Sequence, residues 1–111
     1  MSSGTLLVLT TCASAADAKT LATALVEQRL AACVNVVADA TSIYRWQGAV
    51  QQEQESLLVI KTSRERYAAL EQAIKERSSY ELPEVIALDV VAGSARYLDW
   101  LAAAVNPGGA E

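Results

Sequence analysis

The hydrophobic positions change their period along the first third of the chain. Residues 5–10 form an unbroken apolar and β-branched run, which is typical of a strand covered by other elements. After Ser14, apolar residues recur every three or four positions, and this spacing predicts an amphipathic helix that ends near Arg29. Asp17 follows Ser14 by three positions, as in a capping box. The pattern therefore predicts a strand followed by a helix.

The middle of the chain predicts a long hairpin and a second helix. Residues 33–44 and 50–62 are rich in Val, Thr, Leu and Ile, and the polar segment 46–48 between them contains a glycine that favours a turn. Ser63 is a suitable N-cap, and Tyr67, Leu70 and Ile74 give the following helix an apolar stripe. Two antiparallel strands and a helix follow from these patterns.

The last part of the chain predicts one more strand and a terminal helix. Pro83 is tolerated at the start of a strand, so we expect strand residues at 84–91. A third helix begins after Gly93 and Ser94 and ends at the breaker segment 106–109. The order β-α-β-β-α-β plus a C-terminal helix predicts a single α+β domain over residues 1–111, with the ferredoxin-like arrangement.

The predicted hairpin is too long for the domain that carries it. Residues 50–62 extend to about 43 Å, whereas a domain of this size is only about 35 Å across. Its far end is apolar and aromatic and contains Ile43, Tyr44, Trp46 and Val50. Either a second copy of the chain covers this end, or a bulge near residues 38–40 curls the hairpin back over its own sheet. The first alternative makes Tyr44 and Trp46 candidate interface residues.

Composition excludes several classes of function. The net charge of −4 argues against a nucleic-acid partner, which requires clustered Lys and Arg. No apolar stretch approaches the ~20 residues of a membrane span, and the first residues lack the features of a secretory signal, so we expect a cytoplasmic protein. The chain has no histidine, the usual general base near neutral pH, so we expect no enzymatic activity.

Two cysteines and two glutamates remain as candidate chemistry. Cys12 and Cys33 should lie far apart, because a helix separates the two parallel strands that carry them, and we predict that they do not form a disulfide. Cys12 also precedes a helix N-terminus, which can lower a thiol pKa. Glu53 and Glu55 share one strand face and can bind a hard cation, face solvent or pair with Arg45 across the hairpin.

Four segments together carry a resemblance to a known family. They are 31–35 (AACVN), 42–48 (SIYRWQG), 53–55 (EQE) leading to Lys61, and 80–84 (YELPE). In this order and spacing the chain resembles the CutA divalent-cation tolerance family over nearly its whole length. The resemblance implies a homotrimer assembled through the long hairpin and a role in divalent metal tolerance, with copper as one possible ion.

The resemblance also implies a ligand-binding cleft between subunits. It places Lys61, Tyr80, Glu84 and Cys33 around that cleft. Where members of the family carry a His-Pro pair, this chain has Ser78 and Ser79. Copper and zinc favour imidazole and thiolate ligands, so we predict weak binding of these ions. Two alternatives remain open on the same fold class: a PII-like nucleotide or small-ligand sensor, and a small hydrolase of the acylphosphatase kind.

Overall fold

The computed structural model describes residues 3–108. Within this range the chain forms four strands, three α-helices and one 3₁₀ turn. The elements are β1 (Thr5–Cys12), α1 (Ala15–Glu27), β2 (Cys33–Trp46), β3 (Ala49–Ser63), the 3₁₀ turn (Arg64–Arg66), α2 (Tyr67–Arg77), β4 (Ile86–Val90) and α3 (Ala95–Ala104).

The four strands make one sheet in the order β2-β3-β1-β4, and every neighbouring pair is antiparallel. β1 and β2 therefore run parallel with β3 between them, which is the split arrangement of the ferredoxin-like motif. The predicted α+β fold class is confirmed.

One face of the sheet carries the main core. Side chains alternate across a strand, so every second residue of β1 and β3 points toward α1 and α2. The fully buried residues on these four elements include Val8, Leu58, Ile60, Leu25, Leu70 and Ile74. Their burial removes the apolar stripes of both helices from water, and this is the main force that holds the layers together.

The opposite face of the sheet is only partly covered. α3 packs over one end, where Leu101, Ala104 and Val105 cluster with Ala32. Seven further apolar residues of this face are cross-strand partners of one another, and we call them the open face: Leu7, Leu9, Val37, Leu57, Val59, Ile86 and Leu88. Val37, Ile86 and Leu88 are about half exposed in the single chain.

Two predicted helix caps are present, one of them on a different element. The Ser14 hydroxyl accepts a hydrogen bond from the backbone N–H of Asp17 at 3.1 Å, so α1 begins as predicted, although it ends at Glu27 rather than near Arg29. The Ser63 hydroxyl accepts from the N–H of Arg66 at 3.3 Å, and it therefore caps the 3₁₀ turn that precedes α2.

The prediction for the last strand was wrong in its bounds. β4 covers Ile86–Val90 instead of residues 84–91, because its ladder with β1 begins at the pair Leu9 and Ile86. The segment that precedes β4, residues 80–84, lies outside the sheet and lines a groove. The proline at position 83 precedes the ladder, where its missing N–H costs no strand hydrogen bond.

The long hairpin protrudes from the domain, as its length predicted. Gln47 and Gly48 have φ values of 50° and 81°, the left-handed pair of a type I′ turn, and the molecule is 45 Å along its longest axis. A bulge does interrupt the β2–β3 ladder between Val37 and Ala40. However, Ile43 and Val50 beyond it remain 66% exposed, so the bulge does not curl the hairpin back over the sheet.

Candidate functional site

A groove of about 420 Å³ lies between the hairpin and the segment that precedes β4. Such a volume falls in the range of small-molecule sites. Three elements build the groove: the end of β1, the tip-side half of the hairpin and the connection between α2 and β4. Its lining residues are Thr11, Tyr44, Arg45, Trp46, Glu55, Tyr80, Glu81, Leu82 and Glu84.

A tyrosine–glutamate hydrogen bond joins two walls of the groove. The Tyr80 hydroxyl donates to Oε2 of Glu55 at 2.5 Å, which connects the α2–β4 segment to β3. Burial by itself raises the pKa of Glu55, but hydrogen bonds from Ser42, Tyr80 and Thr11 outweigh burial and bring that pKa below its usual value. Burial and the bond to Glu55 raise the pKa of Tyr80. At neutral pH the pair is therefore a phenol donating to a carboxylate.

A second pair of the same kind lies farther along the hairpin. The Tyr44 hydroxyl donates to Oε1 of Glu53, and this bond raises the pKa of Tyr44. Glu53 and Glu55 thus both accept from tyrosines. Arg45 lies opposite Val50 in the ladder, and the alternative in which the glutamates pair with Arg45 is not seen among residues 3–108.

The groove combines aromatic walls with negative charge. Tyr44, Trp46 and Tyr80 supply the rings, and Glu55, Glu81 and Glu84 supply three carboxylates against the single cation of Arg45. Trp46 and Tyr80 are partly buried, whereas Glu81 and Glu84 are exposed. The arrangement is suited to a ligand that is partly apolar and carries positive charge.

The four predicted cleft residues divide into two groups within one chain. Tyr80 and Glu84 line the groove. Lys61 and Cys33 are direct partners in the β2–β3 ladder. Lys61 lies six positions from Glu55 along β3, about 20 Å at the usual strand rise. The Lys61 ammonium instead lies 5.8 Å from the ring centroid of Tyr97 on α3.

The two predicted interface residues also line the groove. Tyr44 is 38% exposed, and Trp46 is partly buried beside the α2–β4 segment. Contact with a second chain at these residues stays a prediction.

The cysteines do not pair, as predicted, because both are free thiols. Cys12 lines a smaller pocket of about 170 Å³ with Arg77, Ser78 and Ser79. Burial, followed by the negative charges of nearby carboxylates, raises the pKa of Cys12. The suggestion that the N-terminus of α1 lowers this pKa is therefore wrong.

Within residues 3–108 no group of three or more His, Cys, Asp or Glu side chains is arranged to hold a metal ion. Glu53 and Glu55 supply too few ligands for a hard cation by themselves. In the same part of the chain, no helix is both long and apolar enough to cross a membrane.

Comparison with known proteins identifies the family. The family model described as CutA1 divalent ion tolerance protein matches residues 6–104. The chain belongs to this CutA1 family. The CutA divalent-cation tolerance protein of Thermus thermophilus is 50% identical over 94 residues, which cover 85% of this chain and 91% of that protein.

Solved CutA1 structures share the fold. The Thermus thermophilus structure has a TM-score of 0.86 at 48% identity and covers 88% of this chain and 95% of that one. CutA from Xylella fastidiosa has a TM-score of 0.91 at 36% identity, covering 94% of this chain and all (100%) of that one.

Some CutA relatives are longer, and one of these is named for the chloroplast. The protein CutA of Arabidopsis thaliana is named chloroplastic and is 45% identical over 83 residues, or 75% of this chain and 46% of that protein. The chain thus spans about half the length of this relative. The cytoplasmic location of the present chain stays a prediction.

Some lining residues of the groove were not predicted from the sequence. Thr11 and Leu82 had no pattern that marked them as lining residues, and Glu55 was considered only together with Glu53 on its own strand. The short spacing of Glu53 and Glu55 was the one available signal, since it placed both carboxylates on the same face of β3.

Proposed function

We propose that this chain acts in divalent-cation tolerance as a non-catalytic, cytoplasmic homotrimer that binds a small ligand or metal ion in clefts between subunits. The observation that carries the proposal is the groove beside the hairpin, in which Tyr80 and Glu84 lie together with the interface candidates Tyr44 and Trp46. The family name supports the link to divalent cations.

The open face supports assembly with further copies of the chain. Its central residues are apolar, and Val37, Ile86 and Leu88 are 49%, 52% and 48% exposed in a single chain. The exposed end of the hairpin adds Ile43 and Val50, each 66% exposed. An apolar surface of this extent is typical of an interface between subunits.

Assembly also provides a way to complete the predicted cleft. Within one chain Lys61 lies about 20 Å from Glu55 along β3, and Cys33 is its partner in the β2–β3 ladder. A neighbouring subunit can bring its own copies of these residues toward Tyr80 and Glu84. We propose that a metal ion likewise takes its donors from more than one subunit, in keeping with the finding that the described residues of one chain hold no cluster of three His, Cys, Asp or Glu side chains.

The charge of the groove disfavours the two alternative functions. A nucleotide sensor and an acylphosphatase both bind anionic phosphate groups, whereas three carboxylates and one arginine line this groove. Like charges raise the cost of binding an anion.

Light scattering coupled to size exclusion at micromolar concentration tests the assembly. We expect a mass of three chains, and we expect Ile86→Lys to reduce it because a charge is placed on the open face. Val26→Lys is the matched control: Val26 is 42% exposed, but it lies on α1 and outside the open face. A monomeric wild-type protein would contradict the proposal.

Growth on rising copper concentrations tests the biological role. In cells that lack their own CutA1 protein, we expect the wild-type chain to restore tolerance and Tyr80→Phe with Glu84→Gln to restore less. Equal tolerance with and without the wild-type chain would count against a role in cation tolerance.

A further inference from the structure

The groove beside the hairpin combines aromatic rings with separated carboxylates. We propose that its ligand is an organic ammonium cation, a quaternary or protonated amine with attached carbon groups. This inference deepens the proposed function and rests on it, because it names the chemical class bound at the same site.

The carboxylates are arranged for a diffuse cation rather than a bare metal ion. A metal ion such as Ca²⁺ requires about six oxygen ligands within about 2.6 Å. Among residues 3–108 no three acidic, cysteine or histidine side chains converge in that way, although Glu55, Glu81 and Glu84 all line the groove. Charges distributed around about 420 Å³ suit a cation whose positive charge is spread over a larger volume.

The aromatic walls favour the same class of ligand. The faces of Trp46, Tyr44 and Tyr80 carry negative electrostatic potential and attract ammonium groups. Both tyrosine hydroxyls donate to carboxylates, Tyr44 to Glu53 and Tyr80 to Glu55. Such donation increases the electron density of a phenol ring, so these two rings are better partners for a cation than free tyrosines. The apolar side chain of Leu82 provides contact for the carbon groups of the ligand.

The net charge of the lining disfavours anions and favours a cation. In one chain three carboxylates exceed the one guanidinium of Arg45 by two charges (3 − 1 = 2), and a Lys61 ammonium contributed by a neighbouring subunit still leaves an excess of one negative charge (3 − 2 = 1). The hydrogen bonds to Glu55 hold its pKa low, so this carboxylate stays ionised at neutral pH. Glu81 and Glu84 are exposed, so a ligand in the groove can reach both carboxylates.

The test compares choline with 3,3-dimethylbutan-1-ol, which has the same shape but carries no charge. Calorimetric titration of the intact protein at low ionic strength should show choline binding at least tenfold more tightly than the alcohol. Added salt should weaken choline and leave the alcohol unchanged, since only the ionic contribution is screened. Equal affinities for the two compounds would overturn the inference.

Substitutions inside and outside the groove test whether choline binds there. In the double variant Glu81→Gln and Glu84→Gln, choline affinity should fall about tenfold while the alcohol is unaffected. Trp46→Leu should also weaken choline more than the alcohol, because it removes a ring and retains an apolar side chain. Glu65→Gln is the matched control, since Glu65 is an exposed glutamate in the 3₁₀ turn, outside the groove. Choline binding unaffected by the double variant would refute the assignment.

The outcomes separate this inference from the proposed function. If choline does not bind but Zn²⁺ or ATP binds at a site lost in Glu84→Gln, the ligand class is wrong and the groove remains a binding site. If none of the three probes binds and the protein is monomeric, both the inference and the proposed function fail.

Discussion

Deleting a single atom, the hydroxyl oxygen of Tyr80, removes the hydrogen bond from Tyr80 to Glu55. Tyr80→Phe deletes the hydroxyl that lies 2.5 Å from Oε2 of Glu55 and retains the ring. A hydrogen bond to a charged acceptor contributes about 1.5–3 kcal/mol. Glu55 is only partly buried and keeps its bonds from Ser42 and Thr11, so solvent and these partners offset part of the loss. We expect a reduction of about 1–2 kcal/mol in the free energy of unfolding at pH 7.

The size of this effect should depend on pH with a definite sign. The pKa of Glu55 in the folded protein lies below its model-compound value of 4.5. A depressed carboxylate pKa contributes stability that is present above the unfolded value and is lost as pH falls through the folded one. Tyr80→Phe brings the folded pKa of Glu55 back toward 4.5. The difference between wild type and variant should therefore be largest at neutral pH and shrink in acid.

Guanidinium chloride unfolding at a fixed chain concentration, at pH 7 and at about pH 3, measures both effects. Tyr97→Phe is the matched control, because Tyr97 contacts Trp100 and Lys61 through its ring. A Tyr80→Phe protein as stable as wild type at pH 7 would show that this bond contributes nothing. An equal loss at both pH values would show that the loss does not come from the charged form of Glu55.

Three further predictions concern the turn, the thiols and metal ions. Gln47→Gly should raise the free energy of unfolding by about 0.5–1 kcal/mol, because Gln47 has a φ of 50° that glycine adopts more easily. Thermal or denaturant unfolding measures this, and an unchanged free energy of unfolding would contradict it. Thiol titration in denaturant without reductant should give two free thiols per chain, since Cys12 and Cys33 are unpaired, and none would indicate a disulfide. Calorimetry at neutral pH should show no copper or zinc site tighter than about micromolar, and a nanomolar site abolished by Cys33→Ser or Cys12→Ser would refute this.

The order of the elements could be predicted because it depends on local patterns. The period of apolar residues, the cap at Ser14 and the turn at Gln47 and Gly48 all act over a few neighbouring positions. The bounds of the last strand could not be predicted in this way. A strand continues only as far as its partner pairs with it, and the ladder with β1 begins at Ile86.

The groove shows why the site was only partly predictable. Tyr80 and Glu84 were identified through their shared segment in the resemblance, but the partner of Tyr80 was not identified. Tyr80 and Glu55 are 25 positions apart, and only the path of the chain after α2 brings the hydroxyl to that carboxylate. Likewise, Lys61 and Cys33 were grouped with Tyr80, although Lys61 lies six positions along β3 from Glu55, the hydrogen-bond partner of Tyr80, and Cys33 is paired with Lys61.

By itself, the sequence determined the element types, their order, the overlong hairpin and the absence of histidine, because these follow from residue types and short-range periodicity. The tertiary structure decided which face of the sheet stays uncovered, where β4 begins, and which carboxylates meet the tyrosines. Those features depend on strand register and on contacts between distant segments, and side-chain alternation makes each of them sensitive to a shift of a single residue.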